Sequence, residues 1–147
     1  MDWISSSSSL LRLKDEPKHS FNQVPIFVSH TLTSDNTRRV AEVARLMVDA
    51  GVTVLVALIS PFEEDRHKAR ALFAQGQFVE VFVDAPLLVC MRRDVKGLYA
   101  KAQQGGVPAM TGMGSPYEPP TQPDLWLETG VDTLDNCVRQ VMALVPI

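Results

Sequence analysis

A chain of 147 residues with a formal net charge of −3 has the size of one domain, enough to bury roughly two-thirds of the surface its unfolded form exposes. The mild acidity gives no reason to expect sequence-independent nucleic-acid binding, which needs a basic face to displace counterions, and no apolar run reaches the roughly 20 residues of a membrane span. Two cysteines, Cys90 and Cys137, fall far apart on predicted helices, which fits a reduced, cytoplasmic protein better than a disulfide framework.

Met1 to Gln23 joins a serine run to scattered charge without periodicity, so 1–23 is expected to be a disordered N-terminal segment ahead of an α/β domain over 24–147. Val24 to Ser29 is a short apolar run that reads as a strand, weakened by Pro25, which lacks a ladder donor. From Ser34 the period changes. Val40, Val43, Met47 and Ala50 share one helical face, and Gly51 stands where a left-handed terminator belongs. Val52 to Leu58 is a buried strand, and Ser60-Pro61 then caps and opens a helix with Glu63, Glu64 and Asp65 in its first turn. Gly76 stops it.

Phe78 to Val83 is almost continuously apolar, as in a parallel strand covered on both faces. Asp84 ends it, and Pro86 occupies a first helical position. Strand, helix and strand with short joints imply parallel strands linked by right-handed crossovers. After Ala102 the run QQGGVPAMTGMGSPYEPPTQPD is too long for a tight connection and reads as a lid or binding loop. Leu125 to Glu128 forms a last short strand, and Leu134, Cys137, Val138, Val141 and Val145 mark an amphipathic final helix.

Nothing in the residue pattern supports a metal site or a nucleophile. His19, His30 and His67 have no second ligand at metal spacing, no Ser sits in a G-x-S-x-G elbow, and Cys90 reads as a small core residue. Phosphate handling is better signalled. Arg93, Lys96 and Lys101 lie beyond a buried strand and beside Gly97, at the edge where open α/β sheets bind ligands. Arg38 and Arg39 in a first helical turn oppose the helix dipole and hint at an outside anion. For both groups the alternative is a solvated charged face.

Four motifs narrow this reading: ISPFEEDRHKAR (Ile59 to Arg70), FVEVFVDAPLLVC (Phe78 to Cys90), RDVKGLYAKA (Arg93 to Ala102) and TGMGSPYEPP (Thr111 to Pro120). They resemble adenylylsulfate kinase, a P-loop enzyme that uses ATP and Mg²⁺ to phosphorylate the 3′-hydroxyl of adenosine 5′-phosphosulfate (APS), giving PAPS. The likeness runs from Ser34 to Val145, with DVKGLY and DNCVRQVMALV most similar to the kinase half of animal-type bifunctional PAPS synthases. The resemblance implies a P-loop-kinase-like parallel sheet with helices on both faces and a lid over about 96–120. It implies that Asn36, Ile59, Ser60, Lys96, Ala109 and Met110 bind APS, and that Arg93, Thr129 and Asp132 enclose the ATP base. As partners it implies the small molecules APS and ATP, and a homodimer or a heterodimer with a full-length kinase.

The departures from the family pattern are as specific as the matches. The chain has no G-x-x-x-x-G-K-[ST], the segment whose backbone N–H groups and Lys hold the phosphates and whose hydroxyl holds Mg²⁺. The family's D-G-D-N stretch, which carries its catalytic Asp, is also absent; Thr33 replaces an arginine, and Met110 replaces the lid phenylalanine that stacks on APS. No residue of this chain is therefore assigned as catalytic or metal-binding. The chain is expected to be an N-terminally truncated or atypical member, inactive alone; the alternative is a non-catalytic APS-binding module. Deletion of the P-loop strand would open the middle of the sheet between Val52–Leu58 and Phe78–Val83, and Val24 to Ser29 is expected to fill that gap.

Overall fold

The computed structural model describes residues 8–13, 26–29, 34–94, 97–103, 110–111 and 114–145. Strands β1 (Ser8–Leu13), β2 (Ile26–Ser29), β3 (Val54–Leu58), β4 (Phe78–Asp84) and β7 (Leu125–Glu128) form one sheet in the order β2-β3-β1-β4-β7. β2 runs parallel to β3 and β4 parallel to β7, while β1 runs antiparallel to both β3 and β4. A two-residue pair, β5 (Met110–Thr111) and β6 (Gly114–Ser115), stands apart. The helices are α1 (Ser34–Asp49), α2 (Glu63–Arg70), α3 (Leu87–Arg93), α4 (Leu98–Gln103) and α5 (Leu134–Ala143). None of the helices among the described residues is long and apolar enough to cross a membrane.

Side-chain alternation sets the two faces of the sheet. Val54, Val56 and Leu58 of β3 are buried with Phe78 against Ala41, Ala44 and Val48 of α1 and Ala69 of α2. On the opposite face Val79, Val81 and Val83 of β4, with Leu125 and Leu127 of β7, pack on Cys137, Val141 and Leu144 at the α5 end. Gly51 ends α1 as its sequence position predicts. At φ +83° it lets its own N–H reach the Val48 carbonyl while the Val52 N–H reaches Met47, a Schellman closure that satisfies carbonyls the helix leaves open.

One expectation about the N-terminal region is overturned. The segment Val24 to Ser29 was to fill the middle of the sheet; instead Ile26–Ser29 is an edge strand paired with β3 alone. The sequence offers a physical reason in the proline that directly precedes the strand, because a residue without N–H is tolerated best where no ladder partner needs it. The middle belongs to Ser8–Leu13, inside the segment expected to be disordered. A gap one strand wide exposes two unpaired edges, and the backbone polar groups of both demand partners. SSLLRL meets them with Ser9 between Leu58 and Phe82, and Leu13 between Val54 and Phe78. The remainder of 1–23 lies outside the described residues.

The start of α2 also differs from the pattern. Ser60-Pro61 does not cap it; the helix begins at Glu63 after Phe62, which makes no side-chain cap. The cap comes from far along the chain, where the Glu118 carboxylate accepts the Glu63 N–H at 2.7 Å. A carboxylate at a helix N-terminus is favoured by the dipole as well as by the open donor.

Candidate functional site

Parallel β3, β4 and β7 bring their C-terminal ends to one edge of the sheet, the edge at which open α/β sheets bind ligands. β3 leads into Ile59 and Ser60, β4 into Asp84, Ala85 and Pro86, and β7 into Thr129 and Gly130. Because Ser29 pairs with Leu58, the chain also enters α1 from this edge.

The sequence-predicted residues fall into two groups along it. On the β3 side, Asn36 lies half-buried in the first turn of α1 and Ile59 is half-buried. Ser60 is fully buried, and its Oγ has no hydrogen-bond partner among the described residues. On the β7 side, Arg93 at the end of α3 donates through Nη2 to the Thr129 carbonyl at 2.7 Å. Thr129 in turn donates both its N–H and its Oγ1 to the Asp84 carbonyl, each at 2.8 Å. The Asp132 N–H reaches Glu128, and its carboxylate accepts Asn136 Nδ2 at 3.0 Å and Gln140 Nε2 at 3.3 Å. That carboxylate therefore fastens the β7–α5 turn to α5. Arg93 is thus bonded directly to Thr129, while Asp132 reaches the same turn through Glu128.

Lys96, Ala109 and Thr33 lie outside the described residues, and only the backbone of Met110, in β5, is described. Lys101 is exposed on α4. Arg38 and Arg39 both pair with Asp35, at 2.7 and 2.6 Å, on the open surface. Their charge is met within the helix, as the solvated-face reading has it.

Sequence reasoning missed three contributors. Asp94 accepts the N–H groups of Tyr99 and Ala100 at 3.1 and 3.0 Å and so starts α4. Gly130 lies so close to Pro86 that an added Cβ would stand 2.7 Å from the proline Cδ. A methyl group there must push the Thr129 turn from α3. Gly130→Ala is expected to lose about 1–3 kcal/mol in urea unfolding, the usual range for overpacking; wild-type stability would contradict this contact.

The third contributor is Arg66, whose side chain is 1% exposed. Nη1 donates to the Ser60 carbonyl and Nη2 to the Glu118 carbonyl, both at 2.7 Å. Nε lies 3.0 Å from Glu80 Oε1, a charge contact off the hydrogen-bonding angle. Glu80 also faces Arg70 at 3.5 Å, and Arg70 pairs with Asp124 at 2.6 Å. A cleft of about 560 Å³ opens beside this network, lined by Glu63, Arg66, His67, Arg70, Glu80 and Asp124 among others. None of the sequence-predicted ligand residues lines it. The signal for Arg66 was an arginine at a position that the α2 pattern turns inward, on the face of Ala69.

Cys90 on α3 and Tyr99 on α4 are both buried. Burial pushes the Cys90 thiol up from its ordinary value. Burial, with the Cys90 and Asp94 charges added, pushes Tyr99 up to about 12. A folded value above the unfolded one means that stability is whole below the unfolded pKa and is lost as pH rises through the folded one. The melting temperature is expected to fall between about pH 9 and pH 12, and less steeply in Tyr99→Phe. Identical slopes would exclude Tyr99.

The profile of the family described as "Adenylylsulphate kinase" matches residues 19–128, beginning ahead of Ser34 and taking in β2. The bifunctional enzyme CysN/CysC of Xylella fastidiosa is 52% identical over 130 residues, covering 88% of this chain and 21% of that protein. Adenylyl-sulfate kinase of Acaryochloris marina is 50% identical over 108 residues, covering 74% of this chain and 53% of the relative. This chain spans about half the length of several adenylyl-sulfate kinases that it matches. Among solved structures, Mycobacterium tuberculosis APS kinase CysC in complex with AMPPNP and APS superposes with a TM-score of 0.74 at 37% identity, covering 82% of this chain and 79% of that one. On the match over 19–128, the chain belongs to the adenylylsulphate kinase family.

Proposed function

We propose that the chain serves sulfate activation in the manner of its family, in which the γ-phosphoryl group of ATP passes to the 3′-hydroxyl of APS to give ADP and PAPS, and that this chain by itself holds ligand without transferring phosphate. The reading assigns APS to the β3 side, with Asn36, Ile59, Ser60, Lys96, Ala109 and Met110, and the ATP base to Arg93, Thr129 and Asp132. The open Oγ of buried Ser60 suits a polar ligand atom.

The observation that carries the reading is the direction of β1. A phosphate cradle needs a strand that runs out of the sheet into a Gly-rich turn and a helix, so that successive N–H groups and the helix dipole face the anion. Between β3 and β4 the chain runs the other way, with Ser8 beside Val83 at the ligand edge, and no G-x-x-x-x-G-K-[ST] occurs anywhere in the sequence. The reading places the base end of ATP at Arg93, Thr129 and Asp132. For the phosphates and Mg²⁺ the sequence offers no G-x-x-x-x-G-K-[ST] segment, the element that would supply backbone N–H groups, a lysine and a hydroxyl. Asp84, the carboxylate at the end of β4, accepts Trp126 Nε1 at 3.3 Å. Phosphoryl transfer rests on positioning and charge stabilisation, and each lost donor costs about 10²–10³ in rate.

Two measurements on the purified chain test both halves. With ATP, Mg²⁺ and APS, no APS-dependent ADP release is expected, whereas calorimetry with APS alone is expected to register binding. Turnover that requires APS would overturn the claim of inactivity. An absence of heat at millimolar APS would overturn the binding claim.

A further inference from the structure

Arg66 is an unusual use of a buried charge. Removing a guanidinium from water costs several kcal/mol, and an apolar pair of similar volume often stabilises a core as well as an ion pair does. What an apolar side chain cannot do is hold two carbonyl oxygens from distant segments. The planar fork of arginine can, and an ammonium cannot do it with the same geometry. Here one prong takes the Ser60 carbonyl and the other the Glu118 carbonyl.

The two segments are also tied to each other. The Glu118 N–H donates to the Pro61 carbonyl at 2.8 Å, the Glu63 N–H to the Glu118 carboxylate at 2.7 Å, and Thr121 Oγ1 to the Glu63 carboxylate at 2.9 Å. Tyr117 lies under the guanidinium at 5.9 Å and stacks on Phe82. We infer that Arg66 is a positioning residue that makes the β3 strand end, Ile59–Ser60, and the segment returning from the lid, Tyr117–Thr121, a single mechanical unit around the APS site. The inference rests on the proposed assignment of Ile59 and Ser60 to APS.

Amide hydrogen exchange on the full chain tests it, with Glu63 and Glu118 as reporters because neither N–H is bonded to Arg66. In Arg66→Lys, which keeps a charge for Glu80, both amides are expected to exchange about tenfold faster while those of α5 stay unchanged, the mark of one local unit loosening. APS affinity is expected to fall about tenfold with them. The double variant Arg66→Met/Glu80→Met, which replaces the ion pair by an apolar one, is expected to give the same exchange pattern if the lysine variant fails to fold. Faster exchange at only one reporter, at neither, or equally in α5 would overturn the coupling. An unchanged APS affinity with both reporters loosened would overturn the positioning role. If the wild-type chain gives no heat with APS, the functional assignment falls, and the exchange pattern still decides whether the two segments form one unit.

Discussion

Alanine in place of Glu80 is expected to lower the unfolding free energy by about 3–5 kcal/mol, the range for breaking a buried ion pair from one side. The Glu80 side chain is 6% exposed and stands between Arg66 and Arg70. Removing it leaves the Arg66 charge in the interior with two neutral carbonyls as partners. Arg70 still has Asp124 and its position over the Phe78 ring, 4.7 Å away, so the loss centres on Arg66. Urea unfolding measures this directly. A loss below about 1 kcal/mol, the range of exposed pairs, would show that water reaches Arg66 in solution.

Phe82→Ala is the second large loss, again about 3–5 kcal/mol, as for other buried aromatic deletions. The ring is 3% exposed, stacks on Tyr117 at 6.1 Å and meets the edge of Trp126 at 5.1 Å. Its removal opens a cavity under both rings and withdraws the surface on which Tyr117 rests. Unfolding by heat, followed through tryptophan fluorescence, reads stability and the Trp126 environment together. A variant with wild-type stability and an unshifted spectrum would mean that neighbouring side chains collapse into the space.

The strand Phe78–Asp84, the helix Ser34–Asp49 with its Gly51 terminator, and the last strand and helix were legible as elements from local chemistry, but the periodicity named the wrong face of Ser34–Asp49: Thr37, Ala41, Ala44 and Val48 are buried while Val43 is exposed. Arg93 beside Thr129 followed from the family resemblance, and the structure brings the two side by side. What could not be read depended on partners far away in sequence. The cap of α2 comes from Glu118, and the inward turn of Arg66 makes sense only once the Ser60 and Glu118 carbonyls are in place. The location of β1 was hidden for a different reason. SSLLRL has no pattern strong enough to announce a strand, and what recruits it is the pair of open edges on β3 and β4.

The central strand has a temporal consequence as well. Ser8–Leu13 is made before both of its pairing partners, Val54–Leu58 and Phe78–Asp84, so its ladder closes only after Asp84 has been added. The β2–α1–β3 unit and the β4–β7 pair each join nearer neighbours than the middle strand does in pairing with β4. Ordering distant segments before their contacts reward it is what slows folding in sheets of non-local pairing. In this protein the centre of the sheet rests on its most distant pairings, and a chain that has not made them leaves one edge of β3 and one of β4 bare.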